Sequence, residues 1–467
     1  MPGRVYGRLV FGLIAAGAVW LAWPHGPAAQ EAPAPPPREG QHRWVGVAGC
    51  AAMACHHANG PRGSKGSEYS TWAGYDKHAN AFRVLFDTRS ERMVRALYGS
   101  KAKPATETEV CLKCHAMNEG SKANTDDRFV LADGVGCESC HGAAGDWVST
   151  HYLDEFKVKS AEEKAKLGFR NTKDLLERAR LCTGCHVGTG ERDVNHDLIA
   201  AGHPRLNFEF ASFHGIYPKH WPQGPELERH PDLHARLWEI GQVVTAEAAI
   251  KLLEARAKGA QAGEKDKPWP EFAEYACYAC HKSLAVHVSP PAREERPPGS
   301  LPWGTWYVTM TQVYADQPGG PDQVLGARLK ALRGRMEQPS PDAAGVAGDA
   351  AALAKLLNNW ASRTHKSQPL DVGPMRGLMG AFARQGAAEA GRLDWDQAAQ
   401  FYLALGAFNQ ALNDRTGKAP ATAPLQVIRD RLQGAFPSGY DSPRLYDEAK
   451  KTEVGRQLRI AQQLLAP

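Results

Sequence analysis

Ten cysteines occur in the 467 residues, and each belongs to a pair that closes with a histidine. Four pairs have the spacing C-x-x-C-H: Cys111, Cys114 and His115; Cys137, Cys140 and His141; Cys182, Cys185 and His186; Cys277, Cys280 and His281. The fifth, CAAMACH, is stretched, with Cys50 and Cys55 followed at once by His56. Paired thiols suit disulfides, zinc or a covalently attached haem. Neither of the first two calls for a histidine after every second cysteine. With 18 histidines in the chain, five such placements by chance are on the order of one in ten million. C-x-x-C-H is the attachment signature of c-type haem, in which two thiols add to the vinyl groups and the adjacent imidazole becomes the proximal iron ligand. The expectation is five haems c, with CAAMACH completing the set.

A low-spin electron carrier needs a second strong axial ligand on each iron, and 13 further histidines are available. His196 and His203 lie seven apart in NHDLIAAGHPRLNFE, two helical turns or about 10.5 Å along an axis, which suits two different irons. Gly202 and Pro204 end or bend the helix there. His151 stands ten residues after His141, and His78 lies on the apolar stripe of an expected helix. His220 is a secondary candidate, in a group with His214, His230, His234 and His287, while Met53, Met93 and Met117 are alternative sixth ligands.

The elements that must position these groups read as helices and long loops, a mainly α fold in which haems replace much of the side-chain core. Tyr69 to Leu97 carries Trp72, Tyr75, Phe82, Leu85 and Phe86 at helical intervals. Asp174 to Cys185 is a second helix, with Asn171 or Thr172 as cap, and Asp232 to Lys258 a third, stopped by Gly259. Trp269 to Tyr278 leads into the last motif. Residues 44–288 thus form a pentahaem domain, and 289–318 a proline-rich linker and junction where Trp303, Trp306 and Tyr307 pack. Residues 319–467 form a helical bundle without cysteine, with helices at about 342–364, 372–391, 394–413, 423–434 and 443–465. This bundle reads as a cap over the haem core.

Haem c is attached outside the cytoplasm, so the chain is expected in the periplasm or on the extracytoplasmic side of a membrane. Arg4 and Arg8 precede an apolar run from Leu9 to Trp23 that is short for a membrane span. Residues 1–29 read as a signal peptide, or as an N-terminal anchor that would attach the protein to the membrane if retained. Residues 30–43 read as a proline-rich linker. The formal charge of +5 loses Arg4 and Arg8 with the signal and is then outweighed by haem propionates. That balance, with no run of Lys and Arg, argues against a nucleic-acid partner and for redox proteins.

Three segments resemble the cytochrome c-554 family and related multihaem cytochromes over roughly residues 44–282. They are VGCESCHG followed by Trp147 and His151; Trp72 with His78 and Ala79; and GHPRLNFE. The resemblance implies His78 and His151 as distal ligands and an electron-relay role, in the founding members from hydroxylamine oxidation. It also implies that the haem on His115 lacks a distal side chain. The family has four haems where this chain has five motifs, and CAAMACH replaces its usual first site. Electron transfer between redox partners is therefore expected. The alternative is a reductase or oxidase of a small nitrogen or sulfur compound at one open haem, although no C-x-x-C-K motif is present.

Overall fold

The computed structural model describes residues 42–57, 60–117, 124–265, 267–277, 280–281, 297–317, 323–436, 443 and 445–466. The N-terminal segment 1–29 with His25, most of the linker 30–43, residues 289–296 and 318 of the second linker, and Tyr278 and His287 lie outside these residues. The described chain is mainly helical. Its extended pairings are two isolated bridges, Trp44 with Thr125 and Tyr275 with Trp303. None of its helices is long and apolar enough to cross a membrane.

The expected helix over Tyr69 to Leu97 is broken into helices Glu68–Tyr75 and Thr88–Tyr98, with single 3-10 turns Lys77–Asn80 and Arg83–Phe86 between them. Two aspartates cause the breaks. Asp76 and Asp87 are extended, and the Asp76 carboxylate accepts the His78 backbone N–H, closing a new turn instead of continuing the old one. The helix Leu175–His186 is capped by Asp174, which accepts from the N–H groups of Leu176 and Glu177, so the cap is neither Asn171 nor Thr172. The helix Leu233–Gln261 runs through Gly259, and a left-handed Gly263 follows its end.

Leu233–Gln261 organises the larger half of the molecule. It is buried nearly all round, with Leu237, Trp238, Ile240, Ile250 and Leu253 at or near zero exposure. It packs against Leu175–His186 and Phe210–Ile216 on the motif-bearing side, and against Ala343–Lys366 and Trp395–Thr416 on the other. One apolar core runs without interruption from Leu175 to Leu465. The C-terminal helices thus share their core with a helix that carries a C-x-x-C-H motif. Several polar groups inside this core are paired. Arg236 donates to the carbonyls of Thr364 and Gln368, satisfying the end of Ala343–Lys366, and Tyr314 donates to Glu239.

The C-terminal helices Ala343–Lys366, Val372–Glu389, Trp395–Thr416, Thr422–Gln433 and Glu448–Leu465 match the periodicity closely, the last starting five residues late. Gln323–Met336 and Thr309–Ala315 are additional. Trp306 donates its indole N–H to the Phe208 carbonyl and stacks on Trp395, and Tyr307 donates to the Leu206 carbonyl. These are the junction contacts expected of this aromatic cluster.

Residues before Leu175 are built differently. Their apolar cores are two small clusters, one around Phe82, Leu85 and Leu112 and one around Val45, Trp147 and Phe156. Three of the five cysteine motifs lie in this stretch. A protein core of this size is small for over a hundred residues.

Candidate haem centre

Each motif ends in a helical turn that puts its histidine beside its thiols. Glu109–His115, Cys137–His141 and Leu175–His186 are helices whose last residue is the motif histidine. Cysteines three apart there share a face, with the imidazole one residue on. At the last motif the N–H of His281 donates to the Cys277 carbonyl at 2.8 Å, and at the first the N–H of His56 donates to that of Ala52 at 3.1 Å. The stretched CAAMACH therefore keeps the same turn before its histidine, and its extra residues lie between Cys50 and that turn. No disulfide joins any of the ten cysteines.

Four motif histidines face a second histidine. Ring centroids are 6.0 Å apart for His56 and His151, 6.0 Å for His186 and His78, 6.4 Å for His115 and His203, and 6.2 Å for His141 and His220. A metal with nitrogen bonds of about 2 Å, and centroids roughly 1 Å behind each nitrogen, sets two imidazoles about 6 Å apart. Ordinary ring contacts also fall in this range. The specific feature is composition: every pair joins one motif histidine to one histidine from outside the motifs.

Orientation points the same way. A ligating imidazole uses one nitrogen for the metal and donates from the other to a fixed acceptor. His115, His151 and His203 have Nδ1 at 2.9, 2.7 and 2.8 Å from the carbonyls of Ala81, Val148 and Pro204. His56 and His78 have Nδ1 at 3.0 and 2.9 Å from the carboxylates of Glu68 and Asp76. Nδ1 of His220 is 3.4 Å from the Tyr217 hydroxyl. In each case Nε2 is the nitrogen left for iron. His186 is held by stacking on Phe208, and His141 by Phe169. Burial, reinforced by neighbouring histidines, pulls His141 and His186 down to about 4, which keeps them in the neutral, ligating form.

The residues that carried the resemblance have local jobs. Trp72 donates its indole N–H to the Val135 carbonyl at 3.1 Å, and the Val135 N–H donates to the His78 carbonyl. Gly134 makes this approach possible: it has φ of 71°, and a side chain there would strike the His78 carbonyl. Trp147 sets its ring edge-on to His151, 5.6 Å between centroids. Glu138, inside CESCH, is 1 % exposed and accepts the backbone N–H groups of Val45, Gly46 and Ala144. Burial nonetheless raises its pKa above the usual carboxylate value. It ties the chain entering the first motif to the third.

Thiols of different motifs also meet. Cys50 lies close enough to Cys137, and Cys114 to Cys185, for the thiols of each pair to shift one another. Burial pushes the Cys140 and Cys182 thiols up to about 11 and about 12, with the two close enough to affect each other. Arg205 Nη1, two residues beyond His203, lies 3.8 Å from Cys277 Sγ.

The site differs from expectation in two places. His203 stands opposite His115, the position that the resemblance leaves empty. His220 is one of the four facing rings, whereas position along the chain made it secondary; its setting between Pro218 and Pro222 and beside Trp221, a rigid aromatic turn, is the signal that could have raised it. His196 pairs with no histidine ring among the described residues. It packs on Phe272, 5.7 Å between centroids, and its backbone N–H donates to Glu271, so it sits beside the segment entering the last motif. Other histidines are otherwise engaged: His42 with Asp146, His234 with Asp414, His365 with Asp174, and His214 with Arg178.

Haem c would be held by the ten thiols and the five motif imidazoles, and when bound it supplies the one-electron couple of its iron. The sparse core before Leu175 and the metal-width gaps between histidine rings both fit that group. No curated protein and no solved structure matches the chain. Residues 50–142 match the family model described as cytochrome c554 and c-prime, and this match, spanning the first three motifs, supports a c-type cytochrome that binds haem c and transfers electrons.

Proposed function

We propose that this protein is an extracytoplasmic pentahaem c-type cytochrome that passes electrons between redox partners through haems with two histidine ligands. The observation that carries the reading is the set of four facing histidine pairs, His56 with His151, His186 with His78, His115 with His203 and His141 with His220. His196 is assigned to the iron on His281 from its place beside Phe272 and Glu271. Six-coordinate iron changes little on reduction, so the protein has little to rearrange as an electron passes.

Proximity between motifs supports an order for the wire. Cys50 with Cys137 links the first motif to the third, Cys140 with Cys182 the third to the fourth, and Cys114 with Cys185 the fourth to the second. Arg205, between His203 and Cys277, leads from the second to the fifth. Electrons would enter or leave at the first and fifth motifs, which lie at opposite ends of this series. The test is haem content with spin state. Five haems per chain, low-spin in both redox states, is the expected result. A count below five, or a largely high-spin spectrum, overturns the reading.

A further inference from the structure

Among the six paired histidines whose Nδ1 is anchored, two rest on carboxylates. The carboxylate of Glu68, against His56, is about a quarter exposed, so water weakens its field. Asp76 is a different case. Its side chain is 3 % exposed, and one oxygen, Oδ1, takes both the ring N–H and the backbone N–H of His78, each at 2.9 Å. That double contact fixes the imidazole in position and in tautomer. The groups that act on Asp76 are His78 itself and the Tyr217 hydroxyl. Its second oxygen, Oδ2, is buried and has no hydrogen-bond partner among the described residues. Tyr217 is also 3.4 Å from Nδ1 of His220 and packs its ring 6.0 Å from that of His78. Tyr217 thus lies against both His78 and His220, the outer histidines of two neighbouring motifs.

A carboxylate that draws on the Nδ1 proton makes the imidazole a stronger donor through Nε2. In a low-dielectric interior the same negative charge favours the more positive state of a nearby iron. Both effects stabilise ferric over ferrous iron. A carbonyl acceptor, as at His115, His151 and His203, does this more weakly.

We propose that Asp76 is a positioning residue that makes His78 the strongest electron donor among the axial histidines, so that the haem on Cys182, Cys185 and His186 is the last to be reduced, and that Tyr217 carries part of this influence to His220. With haem bound, one electron from a reduced partner protein would convert ferric iron to ferrous. No bond forms or breaks, and the Nδ1 proton stays between ring and carboxylate. The inference rests on the two-histidine reading given above.

The test is a redox titration of the holoprotein followed by optical and electron-paramagnetic-resonance spectra. Asp76→Asn keeps the acceptor for the His78 backbone N–H and removes the charge. The lowest midpoint should rise, with five haems and all low-spin signals retained, and Asp76→Glu should restore most of it. Tyr217→Phe should move a different midpoint, that of the haem on His141, by less. Unchanged midpoints in Asp76→Asn with intact haem content would overturn the proposal and leave the general reading standing. If Asp76→Asn yields no holoprotein, Tyr217→Phe decides alone, an unmoved set of midpoints counting against the proposal. His78→Ala separates the two levels: if every haem stays low-spin in that variant, the two-histidine reading itself fails.

Discussion

Arg205 grips Asp396 through both carboxylate oxygens, at 2.9 and 2.7 Å, across 191 residues of chain. Asp396 is fully buried on a C-terminal helix, and Arg205 belongs to the GHPRLNFE segment and reaches the Cys277 sulfur. The pair fastens the C-terminal helices to the segment that holds His203 and to the fifth motif. Removing the carboxylate deprives a partly buried guanidinium of this two-oxygen partner. Asp396→Ala is expected to cost about 3 kcal/mol, the lower end for a broken buried pair because Arg205 keeps some access to water. Chemical denaturation followed by circular dichroism measures this. A loss under 1 kcal/mol would show that the fastening is not made by this pair.

The second prediction is stoichiometric. No disulfide engages the ten cysteines and each pair adjoins a helical turn with its histidine, so the intact mass of the mature chain should exceed the polypeptide by five haems. Cys50→Ser with Cys55→Ser should reduce the excess to four. An excess of four in the unaltered protein would remove CAAMACH from the set.

His203 and His220 give a third test, because one was a leading candidate from spacing and the other a secondary one. His203→Ala should convert the haem on His115 to high spin, and His220→Ala the haem on His141, each as one fifth of the total signal. Low-spin spectra in both variants would reduce the pairs to ring packing.

What the sequence made legible is the chemistry and the helices that carry their own signals. The five motifs are local, and so are the periodicities of Ala343–Lys366 and Trp395–Thr416. Pairing is not local. His220 meets His141 across 79 residues, and nothing in the periodicity of either segment records it. The break at Asp76 was hidden because an apolar stripe at helical spacing continues across it, while the deciding contact is a carboxylate turning back on its own chain. The single core from Leu175 to Leu465 was hidden by the proline-rich stretch between the two halves. That stretch reads as a boundary although Leu233–Gln261 packs on both sides of it.

A fourth prediction concerns acid. His214 is 7 % exposed and accepts from Arg178 at 2.9 Å. Burial, then the charges of Lys219 and Arg178, hold its pKa down at about 2 against an ordinary 6.5. Its folded pKa is below its unfolded one, so between those values the unfolded chain binds the extra proton and stability falls as pH falls. The slope from this group is about 1.4 kcal/mol per pH unit below pH 6.5. Denaturant midpoints at pH 7 and pH 5 measure it, and His214→Gln, which keeps an acceptor for Arg178 and does not titrate, should flatten the profile. An equal slope in that variant would place the acid sensitivity elsewhere.

The last prediction separates a carrier from an enzyme and turns on open coordination. The resemblance leaves the haem on His115 without a distal side chain, but His203 stands 6.4 Å from that ring with its Nδ1 tied to the Pro204 carbonyl. Carbon monoxide added to the reduced protein should therefore leave the His115 haem unchanged, and His203→Ala should open it. The fifth motif is where a response would be informative, because His281 is exposed and no histidine ring faces it among the described residues. If His196 completes that iron, carbon monoxide shifts no band in the unaltered protein and one band in His196→Ala. A one-haem shift in the unaltered protein that persists in His196→Ala would instead leave the fifth iron open. Turnover of hydroxylamine, nitric oxide or nitrite in that case would make the remaining four haems a supply line to a catalytic fifth, and the protein a reductase or oxidase rather than a wire.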